Sequence, residues 1–169
     1  MRTGLSLVIA LTLTCPAVAL AKGAIVYAGG SWAAIDRGGA CVALGRSARI
    51  AAKGKVQATA GFSFARDRRQ WGEFHARLPR MPRPGSSVIL TVGKQPFLLA
   101  ARGNWAWSRG PLQEQAIIAA VRSASGMRVE ARDLGGQRFS DPYALDGAPT
   151  AIDAAAACAA FGAGKIQPH

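Results

Sequence analysis

Arginine supplies most of the chemistry in this 169-residue chain. Arg66-Asp67-Arg68-Arg69 is followed shortly by Arg77, Arg80 and Arg83, the densest basic cluster in the sequence. A guanidinium group meets a phosphate or carboxylate with two parallel hydrogen bonds, so arginines on one surface suit lipid headgroups and acidic glycans. The same charges would serve equally as a solvated loop that keeps the protein soluble. Trp32, Trp71, Trp105 and Trp107 offer flat faces on which a sugar or base could stack, although large aromatics more often belong to a core.

Other reactive groups are scarce. His75 and His169 are the two histidines, and no His, Cys, Asp or Glu set stands at metal-ligand spacing. Glu73 and His75 share one strand face, where solvated surface is the simpler expectation. A Cys41–His75 nucleophile–base pair would need Cys41 to stay reduced. No nucleophile elbow, phosphate-cradling loop or dinucleotide fingerprint occurs, and the Gly29-Gly30, Gly38-Gly39 and Gly135-Gly136 pairs read as turns and bulges. The expectation is a protein without an active site, metal or cofactor.

The N-terminus reads as an export signal. Arg2 precedes an uncharged apolar run over residues 5–13, and Ala19-Leu20-Ala21 supplies a small-x-small cleavage site. The apolar run is too short for a retained membrane anchor, which needs about twenty residues. Cys15 lacks the small residue that precedes a lipidated cysteine. Residues 1–21 are therefore expected to be cleaved, residues 22–162 to form one domain, and residues 163–169 to be a disordered tail. The mature chain of about 150 residues is long enough for a conventional core. Loss of Cys15 leaves Cys41 and Cys158, and an even pair in an oxidising compartment predicts a disulfide between them.

Across the whole chain 21 Lys and Arg face 9 Asp and Glu, a net charge of +12. That balance steers a protein toward anionic partners. Outside the cytoplasm the partners to expect are lipopolysaccharide, phospholipid or acidic glycan rather than nucleic acid. A composition rich in Arg and Ala is also what a GC-rich genome produces, so the charge has a second explanation.

The elements that must position these groups are mainly strands. Gly23 to Asp36 predicts two short strands or one with a bulge, and residues 40–44 a further one. Val56, Ala58, Ala60, Phe62 and Phe64 alternate along one face, as do Phe74, Ala76 and Leu78 against Glu73, His75 and Arg77. Pro79, Pro82, Pro84 and Gly85 force a loop. Residues 87–92 and 96–101 predict a hairpin across Gly93-Lys94, with Trp105 and Trp107 just beyond it. Pro111 opens a helix in which Leu112, Ala116, Ile117, Ala120 and Val121 recur at helical spacing up to Gly126. Residues 127–133 return to strand alternation and turn at Gly135-Gly136 toward Arg138 and Phe139. A last helix begins near Pro149, buries Ile152, Ala156 and Ala159, and stops at Gly162. The fold class expected is mainly β: one antiparallel sandwich-like or barrel-like domain with two α-helices in the C-terminal third.

Several of these segments together resemble the invasion-associated locus B family, in a divergent form of the kind found in alphaproteobacteria such as sphingomonads. They are Gly30-Ser31-Trp32-Ala33-Ala34, Gly39-Ala40-Cys41-Val42-Ala43-Leu44, His75-Ala76-Arg77-Leu78, Leu90-Thr91-Val92-Gly93, Phe97-Leu98-Leu99, Trp105-Ala106-Trp107, Tyr143-Ala144-Leu145-Asp146-Gly147-Ala148 and Thr150-Ala151-Ile152-Asp153-Ala154. The resemblance implies a periplasmic or outer-membrane-associated protein, mainly β and sandwich-like, with no established enzymatic activity. The chain lacks the additional mid-domain cysteines of better-known members, which loosens the link to host-cell invasion.

The expectation is an exported, non-enzymatic envelope protein that binds or supports an anionic surface through Arg66, Arg68, Arg69, Arg77, Arg80 and Arg83, in peripheral contact with a membrane. The alternative is a periplasmic protein-interaction or chaperone-like accessory factor, with a link to host-cell invasion, whose exposed aromatic strands pair with an envelope protein through Trp105 or Trp107.

Overall fold

The computed structural model describes residues 23–161. The expected export signal over residues 1–21, with Cys15, and the expected tail over 163–169, with His169, lie outside the described residues. Ten strands form one sheet: β1 (Ala24–Gly29), β2 (Trp32–Asp36), β3 (Ala40–Arg46), β4 (Thr59–Ala65), β5 (Trp71–Arg77), β6 (Val88–Val92), β7 (Gln95–Arg102), β8 (Trp105–Trp107), β9 (Gly126–Arg132) and β10 (Arg138–Ala144). Two helices, α1 (Pro111–Ser123) and α2 (Ala148–Phe161), complete it. The spatial order is β1-β2-β3-β4-β5-β8-β7-β6-β9-β10, antiparallel throughout. The expected fold class is therefore observed, with α2 in the C-terminal third and α1 starting at its border.

The sheet curls but does not close. Ala48 N–H donates to the Pro142 carbonyl at 2.8 Å, and the Trp32 indole N–H donates to the Ala144 carbonyl at 2.8 Å. These contacts bring β10 back to the ends of β2 and β3 without adding a ladder between them.

Alternation puts the core where it was expected. Ala60, Phe62 and Phe64 of β4 and Phe74 and Ala76 of β5 are buried on one face. Phe62 and Phe74 are cross-strand partners whose rings meet edge to face, centroids 5.4 Å apart. The first strand region resolves into both expected alternatives at once, a hairpin turned at Gly30 (φ 57°) and a bulge between Ile25 and Tyr27. At Gly30 a side chain would collide with the backbone of Asp146, so both φ and close approach require glycine there.

The helices differ in detail from their expected faces. In α1 the inward stripe is Glu114, Ile117 and Val121, whereas Leu112 is 84% exposed. Leu112 precedes Glu114 by two residues, which rotates it away from a stripe built on steps of three and four. In α2 the buried set is Ala148, Ala151, Ile152, Ala155 and Ala159, and Ala156 is only half-buried. Alanine along α2 lets the helix lie close on β2 and β3. Arg122 near the end of α1 pairs with Asp153 of α2, Nη1 to Oδ2 at 3.2 Å, and so clips the two helices together.

Cys41 of β3 and Cys158 of α2 form the expected disulfide, with Cα atoms 6.0 Å apart and a sequence separation of 117. It ties the terminal helix to the sheet and closes most of the domain into one loop. No helix among the described residues is long and apolar enough to cross a membrane.

Candidate functional site

The six arginines of the basic cluster do not form one patch. Strand β5 runs from Trp71 to Arg77 between them, so the group 66–69 and the group 77–83 stand about 20 Å apart at opposite ends of a seven-residue strand. The structure also engages some of them internally. Arg66 Nη2 contacts Asp36 Oδ2 at 2.7 Å, with the arginine side chain only 22% exposed. Arg80 Nη1 contacts Asp133 Oδ2 at 3.0 Å. Arg68, Arg69, Arg77 and Arg83 remain exposed to solvent.

The turn from β4 to β5 gives Arg68 and Arg69 a defined setting. Arg68 N–H donates to the Ala65 carbonyl at 3.0 Å, and Asp67 Oδ1 accepts from Arg69 N–H at 3.0 Å. Arg68 is the one non-glycine residue with positive φ among those described, at 60°. A left-handed conformation costs an ordinary side chain about 1–2 kcal/mol. The return is a guanidinium placed over the Trp71 ring, 4.5 Å from its centroid, a contact that contributes about 0.5–1 kcal/mol at an exposed site. Trp71 in turn meets Phe64 edge to face at 5.3 Å, which anchors it to the core.

Beside this turn lies an open groove of about 990 Å³ bounded by β5, the 108–111 segment and α1. Arg68, Arg69, Arg109 and Arg122 bring positive charge to it, Glu73, Glu114 and Asp153 negative charge, and Trp71 and Trp107 apolar surface. Ser108 organises its floor: its hydroxyl donates to Glu114 Oε1 at 3.1 Å and accepts from Phe74 N–H at 3.1 Å. Glu114 is thereby fixed, buried, in the first turn of α1. Burial, and then the nearby negative charge of Glu114, push the Glu73 carboxyl above its ordinary range against a hydrogen bond from Gln70. Glu73 and Trp107 continue into a shallower depression with Ser63, His75, Arg102 and Trp105. Three tryptophans thus lie along one surface with arginines interleaved.

The remaining sequence candidates fall elsewhere. Trp32 is a core residue, 3% exposed. Glu73 and His75 share a face as expected, but His75 is half-buried rather than solvated. Its Nδ1 meets Ser63 Oγ at 3.2 Å, its ring centroid lies 6.2 Å from that of Trp105, and burial holds its pKa below the ordinary value. Cys41 is fully buried and bonded to Cys158, so it cannot act as a nucleophile with His75. Asp36, Cys41 and Cys158 come together, but the disulfide consumes both sulfurs and Arg66 holds the carboxylate.

Sequence reading missed Arg109, Arg122 and Glu114, because their approach to Trp71 depends on how α1 docks. One signal was available, since Glu114 stands at the i and i+3 spacing with Ile117 that marks an inward face. Comparison of the chain with protein-family models, curated proteins and solved structures finds no match.

Proposed function

We propose that this is an exported periplasmic or outer-membrane-associated protein, a divergent relative of the invasion-associated locus B family, that binds an anionic envelope component without catalysing a reaction. The observation that carries this reading is the Arg68–Trp71 stack at the mouth of the groove, with Arg69 and Arg109 beside it. Arginines pair with phosphate or carboxylate groups while tryptophan faces cover the apolar side of sugar rings. The overall charge of +12 would draw the protein to lipopolysaccharide, phospholipid or acidic glycan before contact. Neither a cofactor nor a nucleic acid enters this reading.

The test is binding of purified mature protein to outer-membrane vesicles and to peptidoglycan across a salt series. Binding should be strong at low salt and fall steeply by a few hundred millimolar, where exposed charges are screened within a few ångströms. The Arg68→Ser/Arg69→Ser double variant should lose about tenfold, through loss of its charge-assisted contacts. Salt-independent binding, or undiminished binding by the variant, overturns this site.

A second reading, a periplasmic protein-interaction or chaperone-like accessory factor, is favoured by β1. This edge strand carries no charge and exposes Ile25 (70%) and Val26 (47%) beside a row of backbone groups that no described strand pairs. Such an edge accepts an added strand. Association through it would resist salt and would be blocked by proline at Val26.

A further inference from the structure

Strand β10 carries a charge where the alternation calls for an apolar residue. Phe139, Asp141 and Tyr143 all point to the buried face, and Asp141 is only 3% exposed. Its Oδ2 is fully buried and has no hydrogen-bond partner among the described residues. A buried carboxyl without a donor is costly, and native folds rarely keep one without a use for it. Burial pushes this carboxyl above its ordinary range, while Arg49 and Arg80 pull it back down.

Asp141 also lines a cleft of about 410 Å³, separate from the groove beside α1. Arg49 and Lys55 stand on the cleft wall from the β3–β4 connection, and both are exposed and form no ion pair among the described residues. Arg80, the third cation there, is already paired with Asp133. The wall is fixed in place. Ala48 N–H donates to Pro142 on β10, Gln57 Nε2 donates to the Arg49 carbonyl at 3.1 Å, and Gln57 Oε1 accepts from Ala51 N–H at 3.0 Å. Two free cations against one carboxylate leave the cleft with a positive excess, and Asp141 brings to its lining a carboxyl that lacks a donor.

We propose that this cleft binds a small hydroxylated anion, of the sugar-acid or hydroxy-acid class. A ligand hydroxyl donates to Asp141, and the ligand carboxylate is held by Arg49 and Lys55. A plain carboxylate would leave Asp141 unpartnered, and a neutral sugar would leave the two cations unmet. A hydrogen bond to a charged acceptor and an arginine–carboxylate contact are each among the stronger polar interactions, so a ligand that makes both outbinds a ligand that makes either. Tyr143, whose hydroxyl also has no partner among the described residues, lies near enough to feel the Asp141 charge but does not line the cleft.

Three probes separate these contributions by calorimetric titration of the purified protein: glucuronate with both groups, propionate with the acid alone, and glucose with hydroxyls alone. Glucuronate should bind about tenfold or more tightly than either partial probe. Asp141→Leu should erase the preference for glucuronate over propionate and raise the Tm, because it replaces an unpartnered buried carboxyl with an apolar group of similar size. Should that variant not fold, Asp141→Asn carries the test and should narrow the preference several-fold. Arg49→Gln should weaken both acids and leave glucose unchanged, and Tyr143→Phe should change none of them. Equal affinity for glucuronate and propionate, no binding by any probe, or a preference that survives substitution of Asp141 overturns the proposal.

Discussion

The two ends of β5 carry arginines of similar number in the sequence, yet the fold treats them differently. At the β4–β5 turn, Arg66 is drawn inward to Asp36 beside the Cys41–Cys158 bond, while Arg68 is held over Trp71 in a left-handed conformation. At the far end, Arg77 and Arg83 project without ion pairs among the described residues, and Arg80 makes an exposed contact with Asp133. The turn end joins charge to an aromatic face and a groove. The other end offers charge on a proline-interrupted loop. Identical side chains thus become a structural tie, a stacked platform or a solvated group according to what tertiary packing puts beside them.

The largest effect expected concerns the anchor of the turn end. Reducing the disulfide, or replacing Cys41 and Cys158 by Ala, releases a loop of sequence separation 117 and should cost up to about 4–5 kcal/mol in the chain-entropy account. Urea unfolding with and without reductant measures it. An unchanged midpoint would mean that α2 stays docked on β3 through its alanine face alone.

The next contrast sets Arg66 against Arg80. Arg66→Ala removes a half-buried, charge-assisted hydrogen bond to Asp36 at 2.7 Å and should cost about 1.5–3 kcal/mol. Arg80→Ala removes a pair whose arginine is 55% exposed and should cost clearly less, because solvent screens such a contact. Equal losses by thermal unfolding would show that the two ends are not different in kind. The Asp36 carboxyl sits below its ordinary range, first because Gly38 N–H donates to it and then because of Arg66. A depressed folded value means that its contribution is present at neutral pH and is lost as pH falls through that value. Asp36→Asn should therefore flatten the acid limb of the stability curve.

The smallest effect separates the groove from the far loop by pH. Glu73 titrates above the ordinary carboxylate range, so it sheds its negative charge early as pH falls from neutral. The groove then holds the same four arginines against fewer carboxylates, and anion affinity should rise a few-fold as pH falls from neutral toward the ordinary carboxylate range. The raised folded value also means that Glu73 opposes folding at neutral pH and that this cost fades with acidification. Glu73→Gln should abolish the pH dependence of vesicle binding. If the dependence persists in that variant, Glu73 is not its source and the groove assignment falls.

Much of the fold was legible because it rests on local periodicity. Ala60, Phe62, Phe64, Phe74 and Ala76 are one-sided in the sequence and one-sided in the sheet, and Gly93 and Gly135-Gly136 turn where hairpins were expected. The cysteine pairing was also legible, since setting Cys15 aside with the expected export signal leaves Cys41 and Cys158 with one partner each. The arginine cluster was legible as composition and not as a site. Nothing in the spacing of 66–83 says that β5 holds its two halves apart, or that Arg66 is spent on Asp36. Asp141 stands at an inward register position of β10, which its alternation with Phe139 and Tyr143 marks in the sequence.

By itself, then, the sequence determined element type, strand faces, the disulfide and the sign of the charge, because each depends on neighbouring residues or on counting. Only the tertiary structure decided that Arg109, Arg122 and Glu114 share one groove with Trp71, and that Asp141 shares a cleft with Arg49 and Lys55. Those meetings join residues far apart in the chain, and helix docking and sheet curl, which no local pattern encodes, bring them together.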